Sequence, residues 1–134
     1  MISKKLHFFL IDDDEMFLYI TKDLIEEVTD GSAKVEYFSD AEEAFNQIQQ
    51  RFAKEENVPT SILLDLNMPY MDGWDFLSEM APIFAEYNRS PKVYILTSST
   101  LELDREMVNH FSSVYGFYVK PVGQEDIKSI IRSI

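Results

Sequence analysis

Leu6-His7-Phe8-Phe9-Leu10-Ile11-Asp12-Asp13-Asp14-Glu15 sets the reading of the whole chain, because a nearly unbroken apolar run stops abruptly in four acidic residues. An apolar run without alternation fits a strand covered on both faces, as in a parallel sheet. Acidic side chains at the start of a following helix are favoured by about 0.3 to 1 kcal/mol each, which accounts for Asp14 and Glu15. The spacing predicts a helix over Glu15 to Val28, with an apolar stripe at Phe17, Ile20, Leu24 and Val28 and Gly31 just beyond it.

The same alternation of strand-length apolar runs with helix-period segments occurs five times, the mark of successive βαβ units and a parallel sheet. The second strand is expected at Lys34 to Phe38, and Ser39 with Glu42 reads as a capping box for a helix to Lys54 whose core face is Ala41, Ala44, Phe45, Ile48 and Phe52. A third strand at Ser61 to Asp65 leads through the loop Asn67 to Gly73 into a helix bearing Trp74, Leu77, Met80 and Phe84, where Pro82 predicts a kink or an early stop. The fourth strand is read at Lys92 to Leu96, a fourth helix at Leu103 to Phe111, the fifth strand at Gly116 to Val119 and the last helix at Gln124 to Ile134.

Composition narrows the function. At 134 residues and 46% hydrophobic, the chain has the size and apolar content of one compact domain rather than a disordered segment. Twelve Lys and Arg against 24 Asp and Glu leave a net charge of −12, which repels nucleic acid and anionic lipid. With no cysteine and only His7 and His110, a metal would have to be held by oxygen. Residues 1–5 carry positive charge, but no apolar segment and cleavage site of a signal peptide follow, and no run is long enough to span a membrane. The expected setting is the cytoplasm.

In an open parallel sheet, ligands bind beyond the carboxyl ends of the strands. The residues there are Asp12 and Asp13, Asp65, Thr97 and Ser98, and Lys120 followed by Pro121. If Asp65 lies beside Asp12 and Asp13, each carboxylate pair about 4 Å apart repels by roughly 4 kcal/mol at an effective dielectric of 20, so positive charge must offset it. Lys120 supplies one charge, and a hard divalent cation, magnesium above all, would neutralise the cluster better. A carboxylate nucleophile, a metal, a hydroxyl and an ammonium are together the parts that take up a phosphoryl group.

Four strings, Phe9-Leu10-Ile11-Asp12-Asp13-Asp14, Leu63-Leu64-Asp65-Leu66-Asn67-Met68-Pro69 with Met71-Asp72-Gly73, Leu96-Thr97-Ser98, and Tyr118-Val119-Lys120-Pro121, resemble the receiver domains of two-component response regulators. The resemblance covers essentially the whole chain. It implies an α/β, flavodoxin-like fold, with a doubly wound five-stranded parallel sheet of order 2-1-3-4-5 and five helices, residues 1–134 forming one receiver domain with no output domain. It also implies Asp65 as phosphoacceptor, with Mg2+ held by Asp13 and Asp65 directly, by Asp12 through water and by the backbone carbonyl of Asn67. Thr97, the backbone N–H of Ser98, and Lys120 are implied as phosphoryl partners. Thr97 and Phe117 are implied as the switch pair, Phe117 lacking the hydroxyl of the tyrosine often found there. Asn67 and Ser99 fall where the family tunes phosphate lifetime, and the Lys120–Pro121 bond is expected to be cis.

The partners implied are a sensor histidine kinase or phosphotransfer protein and a downstream protein on the face formed by Leu103 to Phe111, Gly116 to Val119 and Gln124 to Ile134. That face also suits a homodimer. The enzyme rival is a small haloacid-dehalogenase-type phosphohydrolase with Asp12 as nucleophile, because Asp12 and Asp14 form a DxD pair after an apolar strand. Met16 stands where that family usually has Thr or Val.

Overall fold

A computed structural model describes residues 5–134. The basic N-terminal stretch therefore lies, Lys5 apart, outside the described residues. The elements are β1 (His7–Ile11), α1 (Glu15–Val28), β2 (Lys34–Phe38), α2 (Ala41–Lys54), β3 (Ser61–Leu64), α3 (Gly73–Tyr87), β4 (Lys92–Thr97), α4 (Glu102–Met107), a 3-10 turn at Val108–His110, β5 (Val114–Val119) and α5 (Gln124–Ser133). The strands form one parallel sheet in the order β2-β1-β3-β4-β5, the doubly wound topology expected. Among the described residues, no helix is long and apolar enough to cross a membrane.

Alternation along the strands builds two cores, one on each face of the sheet. Phe9, Ile11, Ile62, Leu64, Val93 and Ile95 face α2 and α3. Phe8, Leu10, Leu63, Tyr94 and Leu96 face α1 and α5. Both faces of the central strands are covered, which is why their sequence shows continuous apolar runs.

Several local expectations are corrected. In α1, Phe17, Leu24 and Val28 of the expected stripe pack against the core, but its fully buried line is Leu18, Thr21 and Ile25, and Ile20 is half exposed. Thr21 hides this line from a hydrophobicity pattern, although it sits at helical spacing between two apolar residues. The N-cap of α2 is Asp40 rather than Ser39, its Oδ1 accepting the Glu42 N–H at 2.8 Å. A carboxylate here also meets the positive end of the helix. Pro82 does not end α3, which continues to Tyr87. Pro82 and Ser78, the residue whose carbonyl loses its partner, are both exposed, so water can satisfy that carbonyl while Phe76, Leu77, Met80 and Phe84 hold the helix on the sheet. The fourth helix is shorter than expected, ending at Met107 and passing into the 3-10 turn. The strand ends shift slightly: β1 starts at His7, β3 stops at Leu64, β4 reaches Thr97 and β5 begins at Val114.

At the opposite end of the sheet from the predicted site, Glu36 collects three donors. Arg51 gives two bonds, at 2.6 and 2.9 Å, and His7 Nε2 a third at 2.6 Å. Arg51 is the main reason the Glu36 carboxyl is pulled down to about 2, whereas burial lowers the His7 pKa despite the neighbouring carboxylate. The stabilisation from Glu36 is present above its ordinary value of 4.5 and is lost as pH falls toward about 2. His7, held neutral by burial, adds a loss of stability as pH falls below 6.5. Glu36→Gln should cost about 1 kcal/mol near neutrality, the partly exposed pair being screened by solvent. It should also flatten the fall of the denaturation midpoint between pH 4.5 and 2, so equal slopes in variant and parent would contradict this account.

Candidate functional site

The carboxyl ends of β1, β3, β4 and β5 bring Asp12, Asp13, Asp65, Thr97 and Lys120 to one edge. Backbone pairing places Asp12, Asp65, Thr97 and Lys120, and Asp13 follows Asp12 in the chain. The Asp65 N–H donates to the Ile11 carbonyl at 2.9 Å, the Asp12 N–H to Phe38 at 3.1 Å, and the Lys120 N–H to Thr97 at 2.7 Å. The cis Lys120–Pro121 bond follows directly, as expected.

Asp12 and Asp65 are buried, 2% and 4% exposed, while Asp13 is open to solvent. One carboxylate oxygen from each of the three lies within 4.8 Å of the others. Lys120 is the cation that reaches them, with Nζ 2.7 Å from Asp12 Oδ2 and 3.8 Å from Asp65 Oδ1. Its ammonium lies over the Phe17 ring at 4.0 Å, so α1 supplies a wall against the lysine. The other Asp12 oxygen accepts the Asp14 N–H at 2.9 Å. Asp14 itself caps α1, accepting from the Met16 and Phe17 N–H groups.

Charge in this cluster is under-compensated. Burial, and then the neighbouring Asp12, push the Asp65 carboxyl up to about 6, against the pull of Lys120 and of the Asn67 backbone N–H. Burial likewise raises Asp12 despite its bond to Lys120. Three hard oxygen donors with one ammonium among them suit a small divalent cation such as Mg2+.

The β3–α3 loop is held tightly under Asp65. The Gly73 N–H donates to the Leu66 carbonyl at 3.0 Å, and a Cβ built on Gly73 would stand 2.7 Å from the Asp65 carbonyl oxygen. That close approach explains the glycine at the start of α3, where Asp72 and Asp75 complete a capping box. Asn67 and Ser98 are exposed at the rim, and Thr97 is fully buried. Phe117 is half-buried against the α3-side core, with the Arg105 guanidinium over its ring at 5.1 Å. Ser99 is not free to hold a water with its proton, because its hydroxyl donates to Asp104 at 2.6 Å.

Two contributions escaped sequence reading. Phe17 was legible only as a helix-core residue, since nothing in its spacing announces a partner more than one hundred residues away. Asp104 joins Ser99 to Trp74, whose indole N–H donates to it at 3.0 Å. An acid in the first turn of a helix usually needs no such explanation.

The fold is shared with known proteins. Residues 8–132 match the family model of the response regulator receiver domain. A two-component response regulator from Cytophaga hutchinsonii superposes with a TM-score of 0.84 at 20% identity, covering 97% of each chain. The chemotaxis protein CheY4 of Vibrio cholerae gives a TM-score of 0.76 at 20% identity over 98% of this chain and 99% of that one. In sequence, the chain is 30% identical over 105 residues to a probable methanogenesis regulatory protein, FilR2, of Methanothrix harundinacea, a match covering 77% of this chain and 64% of that relative. This chain thus aligns with less than two thirds of that relative's length. The family match extends over nearly all the residues that build the sheet and its acidic edge, and on it the chain belongs to the receiver domains of two-component response regulators.

Proposed function

We propose that this receiver accepts a phosphoryl group on Asp65 from a histidine kinase or phosphotransfer protein and passes the change to a partner through Thr97 and Phe117. The observation that carries the reading is the buried Asp65 carboxylate, 3.8 Å from the Lys120 ammonium and grouped with Asp12 and Asp13. In the transfer, an Asp65 carboxylate oxygen forms a bond to phosphorus as the bond from phosphorus to the donor imidazole nitrogen breaks. That nitrogen keeps the bonding pair. Lys120, the Thr97 hydroxyl and the Ser98 backbone N–H meet the phosphoryl oxygens, a role of positioning and charge stabilisation.

Asp13 and Asp65, with the Asn67 carbonyl and Asp12 through water, would hold Mg2+, which when bound supplies positive charge against the phosphoryl oxygens. Asp13→Ala should weaken Mg2+ binding by about tenfold or more, because a carboxylate ligand is replaced by water. A magnesium titration giving equal affinities in variant and parent would contradict that ligand set.

Downstream, the Thr97 hydroxyl turns toward the phosphoryl group and the Phe117 ring fills the space it leaves, altering the face of α4, β5 and α5. That face is where a target protein or a second copy of the chain would bind. The protein works in the cytoplasm as a signalling acceptor whose only chemistry is its own phosphorylation and dephosphorylation. A hydrolase with Asp12 as nucleophile fits poorly, since both Asp12 oxygens are engaged, by Lys120 and by the Asp14 N–H.

The test is incubation with a small acyl phosphate and Mg2+, followed by intact-mass measurement. One stoichiometric phosphoryl group per chain is expected. Steady turnover of the donor with no labelled protein would overturn the reading in favour of a phosphohydrolase.

A further inference from the structure

The α4 segment lacks the usual means of holding itself in place. It has six residues, none buried, and its N-cap Leu101 makes no side-chain capping bond. A helix so short is not stable by itself, so contacts from outside must fix it. Asp104 provides them with both of its oxygens. Oδ1 accepts the Trp74 indole N–H from α3 at 3.0 Å, and Oδ2 accepts the Ser99 hydroxyl at 2.6 Å. Trp74 is itself held by stacking on Phe111, with centroids 5.7 Å apart and planes within 13°.

The chain of bonds continues inward to the edge that carries the carboxylates. Ser99 Oγ accepts the Leu101 N–H at 3.2 Å, and the Ser99 N–H donates to Thr97 Oγ1 at 3.1 Å. With a lone pair of Thr97 Oγ1 occupied in this way, its own proton remains available for an acceptor arriving beside Asp65. We infer that Asp104 is a positioning residue for phosphoryl uptake, fixing the β4–α4 loop through Ser99 so that the Ser98 N–H is set before the phosphoryl group arrives and only the Thr97 side chain has to turn toward it. The inference rests on Asp65 being the acceptor. Hydrogen bonds to a carboxylate are stronger than neutral ones, and a donor fixed in advance needs no reorganisation at the moment of reaction.

Labelling rates with a small acyl phosphate at saturating Mg2+, read by intact mass, test this. Asp104→Ala and Ser99→Ala should each slow labelling by about five- to tenfold, and the double variant should be no slower than either, since the two residues act as one unit. Asp104→Asn, whose amide can still accept from Trp74 and bond Ser99, should stay within about twofold of the parent. Trp74 is the only tryptophan, so its emission separates the two arms. The emission should shift in Asp104→Ala, which loses the indole bond, and hold in Ser99→Ala, which keeps it. Parent-like rates in Asp104→Ala or Ser99→Ala, additive losses in the double variant, or an Asp104→Asn rate as low as that of Asp104→Ala would each overturn the inference. A parent protein that takes no label would overturn the Asp65 reading and this inference with it, whereas a labelled parent with unaffected variants would remove this inference alone.

Discussion

Asp65→Asn is expected to abolish covalent phosphorylation and, in the absence of divalent cations, to make the protein more stable. The first effect follows because the amide lacks the anionic oxygen that attacks phosphorus. The second follows from the buried acidic cluster. A carboxyl held at about 6 instead of 3.8 penalises the folded state when ionised, by about 2 to 3 kcal/mol. That penalty is fully present above pH 6 and vanishes below 3.8, opposite in sign to the contributions of Glu36 and His7. Removing it should raise the denaturation midpoint at pH 7 by roughly 5 to 10 °C for a chain of this size. Added Mg2+ should close the gap by stabilising the parent more than the variant. An unchanged or lowered midpoint in metal-free buffer would show that Lys120 already balances the cluster.

Gly73→Ala should damage both stability and phosphoryl uptake. The new methyl group would lie 2.7 Å from the Asp65 carbonyl oxygen and 3.0 Å from the Leu66 Cα, and both are backbone atoms that cannot turn aside. Overpacking of this kind costs about 1 to 3 kcal/mol. Relief requires the β3–α3 loop to move away from α3, carrying Asp65 with it. Displacement of a reacting group by about 1 Å can cost on the order of a hundredfold in rate, so labelling by a small acyl phosphate should slow by at least about tenfold. A Gly73→Ala protein with parental stability and labelling rate would mean that the loop is not held as described.

What could be read from the sequence was what repeats or lies next in the chain. The apolar runs of β1, β3 and β4 announced buried strands, and their ends located Asp12, Asp13, Asp65 and Thr97 without side-chain information. The order of the strands came from the family resemblance, since alternation alone does not choose it. Features that depend on contacts distant in sequence stayed hidden. Asp104 reaches Trp74 across 30 residues, and the Phe17 ring meets Lys120 from more than one hundred residues away. Local rules also misled where a polar residue took a core position, as Thr21 does in α1. The early stop allowed for at Pro82 does not occur for a related reason, because the packing of Phe76, Met80 and Phe84 outweighs one missing hydrogen bond on the solvent side.

The central claim is that Asp65 alone carries the phosphoryl group. Borohydride reduction of the labelled protein converts a phosphorylated aspartate to homoserine, and peptide sequencing then locates it. Homoserine at position 65, and at no other, is the predicted result. Homoserine at Asp12 or Asp13 would contradict the account.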